Sequence, residues 1–165
     1  MQLVGIIAKK KDVQAIRKEI KEIKTEKIEI IEITKDNIKN LRNIKFEEII
    51  FLENIEFNSD EYKYMKELIS KARFLILNGD IKVTILEKIE IQEPIQIITF
   101  GFNSKSTITI SSVSEDKIII CLQRDIKKAN GEILEKQEIE IKLKKDNKKI
   151  YNNLVVFIIK ELRKL

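Results

Sequence analysis

The stretch 62–80, YKYMKELISKARFLILNGD, decides the reading of the fold. Its first part sets Tyr62, Met65, Ile69 and Ala72 three or four residues apart, the apolar stripe of a helix with one side against a core. Ser59, just upstream, is the predicted N-cap. Asp60 and Glu61 follow in the first turn, where the helix dipole favours carboxylates. The second part, Phe74-Leu75-Ile76-Leu77, is apolar throughout and predicts a strand buried on both faces. Asn78-Gly79-Asp80 then stops it with turn-forming residues.

The same alternation extends towards the N-terminus. Residues 3–8 form a short apolar run, which predicts a buried first strand. Asp12 is the predicted cap of a helix carrying Val13, Ile16, Ile20 and Ile23. The Ile-rich run 27–33 predicts a second strand. Thr34 is set to cap a short helix with Ile38 and Leu41, and 48–52 predicts a third strand. Strands alternating with helices are the pattern of a parallel sheet covered by helices.

Beyond Asp80 the character changes. A further helix is predicted over 81–88, Pro94 breaks the chain, and 95–100 restarts it as a strand. Runs at 107–110, 118–122 and 139–143, with turn signals at Asn103-Ser104 and Asn130-Gly131, predict an antiparallel meander with one wet face. A last helix over 150–162 carries Leu154, Val155, Ile158 and Leu162. The expectation is one α/β domain over 1–165. Its parts are a mostly parallel sheet flanked by helices (1–93), a small antiparallel β-subdomain (94–146) and a C-terminal helix (147–165).

Composition narrows the chemistry. The absence of histidine removes the commonest general base and the usual metal ligand. A single cysteine, Cys121, excludes an internal disulfide and a cysteine metal site. Its apolar setting at 118–122 predicts a buried, inert thiol. The 32 basic and 27 acidic residues leave a net charge of +5, which permits attraction to polyanions without demanding it. No signal-peptide pattern and no apolar run of membrane-spanning length are visible, so a soluble, cytoplasmic protein with no membrane insertion is expected.

Four segments in order resemble the central, ATP-binding domain of the Mur ligase family, which includes the UDP-N-acetylmuramoyl peptide ligases, folylpolyglutamate synthases and cyanophycin synthetases. Glu53-Asn54-Ile55 is similar to the family's threonine-asparagine-isoleucine strand end. Tyr62 and Lys66, leading to Asn78-Gly79-Asp80, resemble a tyrosine-x-x-x-lysine helix that enters a strand ending asparagine-alanine-aspartate. Ile97-Ile98-Thr99-Phe100-Gly101 resembles the strand that opens the family's antiparallel subdomain. Ile150-Tyr151-Asn152-Asn153-Leu154 resembles the start of its later helix. The resemblance implies a P-loop-type fold and ancestral ATP- and magnesium-dependent joining of a carboxylate to an amine, in cell-wall synthesis among other settings.

The departures from the family pattern bear on function. The family's phosphate loop, G-T-x-G-K-[ST], corresponds to Ala8-Lys9-Lys10-Lys11-Asp12-Val13. Side chains stand where backbone must approach phosphate, a carboxylate replaces the lysine, and Val13 replaces the magnesium-binding hydroxyl. Lys9, Lys10 and Lys11 are read as a solvated strand–helix connection, with attraction of a nucleotide's phosphates as the alternative. Lys66 matches a lysine carbamylated in many Mur ligases; an ordinary helix lysine reaching solvent is the preferred reading. Asn152 matches the family's adenine contact; capping or bonding within the last helix is preferred. The expected function is a non-catalytic, degenerate homologue that binds a protein partner, a ligand or a second copy of itself. No cofactor is expected, and ATP with magnesium only where ancestral activity persists. A residual ligase component completed by another chain is the alternative. A nucleic-acid module resting on Lys9 to Lys11 and the run 144–149 is disfavoured for want of an aromatic platform.

Overall fold

The computed structural model describes residues 1–23, 27–92 and 94–163. The boundary placed at residue 93 and the last two residues of the C-terminal segment lie outside them. In chain order the elements are β1 (Gln2–Ile7), α1 (Lys10–Lys21), β2 (Ile28–Glu32), α2 (Ile38–Leu41), β3 (Glu48–Phe51), α3 (Ser59–Lys71), β4 (Phe74–Asn78) and α4 (Ile85–Lys88). They continue with β5 (Gln96–Gly101), β6 (Ile108–Val113), β7 (Lys117–Leu122), β8 (Ile126–Lys127), β9 (Ile133–Leu134), β10 (Glu138–Lys142) and α5 (Ile150–Arg163).

The architecture is α/β. One sheet runs β2-β1-β3-β4-β5-β6-β7-β10, and β8 and β9 form a separate antiparallel pair. Every neighbouring pair from β2 to β6 is parallel. The β6–β7 and β7–β10 pairs are antiparallel. The order β2-β1-β3-β4-β5 is a doubly wound one, whose direction of winding reverses between β1 and β3.

Side-chain alternation along the strands divides the core into two layers. Val4, Ile6, Ile50, Phe74 and Ile76 face α1 and α5. Ile7, Ile49, Phe51, Leu75 and Leu77 face α2, α3 and α4. Each fully buried Ile or Leu contributes about 1.5–3 kcal/mol, so the central strands are held from both sides. Gly5 lies where β1 passes under Ile33: a Cβ there would meet the Ile33 Cδ1 at 2.4 Å.

Several expectations need correction. The cap of α3 is Asn58, not Ser59. Asn58 Oδ1 accepts from the Glu61 N–H at 2.9 Å, and a Glu61 carboxylate oxygen accepts from the Asn58 N–H at 2.8 Å. This reciprocal box satisfies two donors at once, which a serine one position later cannot do. Asp12 does not cap α1: Lys9 is the cap residue, and Asp12 sits inside the first turn. Asn37, not Thr34, stands at the start of α2, although the two exchange bonds: the Thr34 N–H donates to Asn37 Oδ1, and the Asn37 N–H to Thr34 Oγ1. The helix expected over 81–88 is only the single turn α4. The strand at 95–100, placed in the antiparallel part, pairs parallel with β4 as β5. The strands β6, β7 and β10 extend this same sheet rather than forming a layer of their own.

At the amino end of the sheet, a buried ion pair ties α5 to β3. Arg163 Nε donates to Glu48 at 2.8 Å, and both side chains are almost fully buried. Arg163 also donates to the Gln2 side chain.

Candidate functional site

In open α/β sheets, ligands bind outside the carboxyl ends of the strands, at the reversal of winding. Here that rim carries three side-chain clusters. The first joins the start of α1 to the start of α5. Asp12, on the buried stripe one turn before Ile16, is only 6% exposed. Its Oδ1 accepts from Lys149 Nζ at 2.5 Å and from Asn152 Nδ2 at 3.2 Å. Burial pushes the Asp12 carboxyl up. The hydrogen bonds from Lys149 and Asn152, with the charges of Lys149 and Lys11, outweigh it and hold the group below the usual carboxylate range. Asn152 is itself buried. The negative charge in the first turn also suits the positive end of α1.

The second cluster centres on Asp80. Its two oxygens accept from the Phe102 and Asn103 N–H groups at 2.7 and 2.8 Å and from the Tyr151 hydroxyl at 2.7 Å. One carboxylate thereby ties the end of β4, the loop after β5 and the start of α5. Burial pushes the Tyr151 phenol up, and the hydrogen bond and charge of Asp80 push it further, to about 12. Gly101 sits at φ +144°, and a Cβ there would meet the Asp80 carboxylate at 2.4 Å. Glycine alone lets the backbone approach so closely. Phe102 is 53% exposed and packs edge-on against Tyr151, with ring centroids 6.5 Å apart.

The third cluster lies over α3. Asn54 Oδ1 accepts from the Thr84 N–H at 3.1 Å and hydroxyl at 3.2 Å. The Asn54 amide and the Tyr62 hydroxyl donate to Glu56. The Asn54 bond is the main cause holding the Glu56 carboxyl below its ordinary value.

The predicted site residues divide between the two layers. Lys9, Lys10 and Lys11 are exposed at the start of α1, and Asn152 reaches the same helix end through Asp12. Lys66 lies exposed on α3, in the other layer, beside a hollow walled by Ile69, Ile89 and Ile95. It does not join the others. Lys149, counted in sequence as the end of the basic run 144–149, is the cation that pairs with Asp12. The available signal was a carboxylate falling on the apolar stripe of α1, which demands a buried partner. Two of the four lysines of the second basic run are paired, Lys149 with Asp12 and Lys144 with Glu22 at 2.7 Å, and Asp146 within the run takes Lys18 at 3.2 Å.

The start of α1 does not fit a nucleotide triphosphate with magnesium held as the resemblance implies. A phosphate nest needs successive N–H groups turned to one side by residues of opposite backbone hand. None of residues 8–11 has a positive φ, and the Asp12 and Val13 N–H groups already donate to the Lys9 carbonyl. Among the described residues, no group of three or more His, Cys, Asp or Glu side chains could hold a metal ion. Nor is any described helix long and apolar enough to cross a membrane.

Fold and site together define a doubly wound α/β protein with a mostly parallel sheet, whose carboxyl rim is braced by carboxylate-centred clusters. No family model matches the chain, and no curated protein matches it.

Proposed function

We propose that this protein is a non-catalytic, degenerate homologue of the Mur ligase central domain that works as a binding or regulatory module. One observation carries this reading: Asp12, where the phosphate-binding lysine of such a loop belongs, is buried and bound by Lys149 and Asn152. A carboxylate held in its charged form at that point repels phosphoryl oxygens, and Lys149 and Asn152 are engaged with that carboxylate. Phosphoryl transfer depends on neutralising those oxygens. Asn152, the residue matched to adenine recognition, is committed to the same carboxylate. A binding role is supported by the braced rim and by Phe102, an exposed ring held by Tyr151. Rigid aromatic side chains of this kind anchor protein interfaces. A protein partner or a second copy of the chain would meet this rim.

The test is release of phosphate from ATP with magnesium, offered candidate amines and carboxylates. No turnover above the protein-free rate is expected. Saturable turnover that Asn152→Ala removes would overturn the reading in favour of a residual ligase.

A further inference from the structure

The opposite end of the sheet holds a cleft that the basic runs of the sequence do not announce. It opens at the amino ends of β3, β4 and β5 and encloses about 540 Å³. Its charged lining is Lys45, Lys71, Arg73, Lys127 and Lys128, against the single carboxylate of Glu47 among the described residues. Lys71 has a local explanation, since cations complement the carbonyl end of a helix such as α3. Arg73 meets Glu47 at 3.4 Å, and Lys128 meets the well-exposed Glu132 at 3.7 Å. Lys45 and Lys127 have no carboxylate within ion-pair distance among the described residues. The wall carrying Lys127 is fixed: the Gln96 side chain donates to the Lys127 carbonyl at 3.0 Å and accepts from its N–H at 3.2 Å. Cations gathered in a walled cleft repel one another unless an anion enters, and such a cleft focuses field on one.

We propose that this cleft binds a compact, multiply charged phosphate ligand of the oligophosphate class. Among the described residues no aromatic side chain lines it, so it offers charge and hydrogen-bond donors but no stacking platform for bases. Its flexible lysines suit point contacts to several phosphoryl groups, and Arg73 can fork two oxygens of one. The proposal does not rest on the reading of the α1 end, which lies at the opposite, carboxyl ends of the strands.

The test is calorimetric titration of the full chain with inorganic tripolyphosphate in low salt, about 20 mM, where the screening length is longest. Saturable binding is expected, weakening as salt rises. Lys45→Glu with Lys127→Glu should weaken it by about tenfold or more, since each reversed charge acts across only a few ångströms. Lys35→Glu with Lys82→Glu makes the same change of net charge at the carboxyl side; compared in about 0.1 M salt, where the screening length falls to about 10 Å, it should stay within about twofold, because those charges sit beyond the opposite ends of the strands. If the first pair melts early, Lys45→Gln with Lys127→Gln replaces it and should weaken binding in the same direction. Absence of saturable binding, or equal weakening by both pairs, would overturn the proposal. Tight binding of a single-stranded oligonucleotide without tripolyphosphate binding would overturn it in favour of a nucleic-acid surface.

Discussion

Asp12 illustrates how one side chain redirects a helix end. Its pKa is depressed in the folded chain, so its contribution is present above the unfolded carboxylate value and is lost as pH falls through the folded one. Asp12→Asn should therefore lower stability by about 1–3 kcal/mol near pH 7, the worth of hydrogen bonds to a charged group, and by less at about pH 3, below the unfolded carboxylate value. Urea denaturation at the two pH values measures the difference. An equal loss at both would mean that the charge contributes nothing. Tyr151 gives the opposite sign. Its folded pKa, about 12, lies above the ordinary phenol value, so the folded form keeps a proton that the unfolded chain gives up first. Stability conferred by this group is complete below about pH 10 and declines as pH rises towards the folded value. Tyrosinate absorbance should show a component titrating above the ordinary phenol range, and Tyr151→Phe should remove it.

At the scale of elements, the α3–β4 unit was legible because its signals are local. An apolar stripe at helical spacing and a wholly apolar strand are written in neighbouring residues. The exact cap was less so, since Asn58 and Ser59 are both good cap residues and only the reciprocal bond with Glu61 decides between them. Asn58→Ala should cost about 1 kcal/mol of stability, while Ser59→Ala should stay within about 0.5 kcal/mol. Thermal melts that rank the two the other way would return the cap to Ser59. The direction of β6 was not legible. Asn103-Ser104 is a real turn, with the Lys105 N–H donating to Asn103 Oδ1, and a turn between two strands reads as a hairpin. Instead Thr99 and Thr107 exchange backbone-to-hydroxyl bonds, Thr107 N–H to Thr99 Oγ1 at 2.9 Å and Thr99 N–H to Thr107 Oγ1 at 3.2 Å. These lay the chain back beside β5, so that β6 starts parallel to it, with Phe100 opposite Ile108.

At the scale of the whole molecule, the class was legible because alternation of strand and helix is a global pattern carried by many residues. The site was less so, because its bonds join residues far apart in the chain, Asp12 to Lys149 and Asp80 to Tyr151, as does the Glu48 to Arg163 pair at the amino end. Periodicity reports which side of an element is buried but not which distant side chain meets it there. The consequence is that α5 is clamped at both ends, to α1 and β4 at the carboxyl rim and to β3 at the amino end. Arg163→Ala breaks the buried pair from one side and should cost about 3–5 kcal/mol. Chemical denaturation measures that loss, and a loss below about 1 kcal/mol would show that the amino-end clamp adds little.

In the proposed function, the Asp12, Lys149 and Asn152 cluster closes the α1 end to nucleotide. Backbone amide shifts followed during titration with ATP and magnesium test it at the site itself. The amides of Lys10, Lys11, Asp12 and Val13 should not move, whatever happens to Arg73 and Gln96 at the opposite cleft. Saturable shifts at the α1 amides would contradict it.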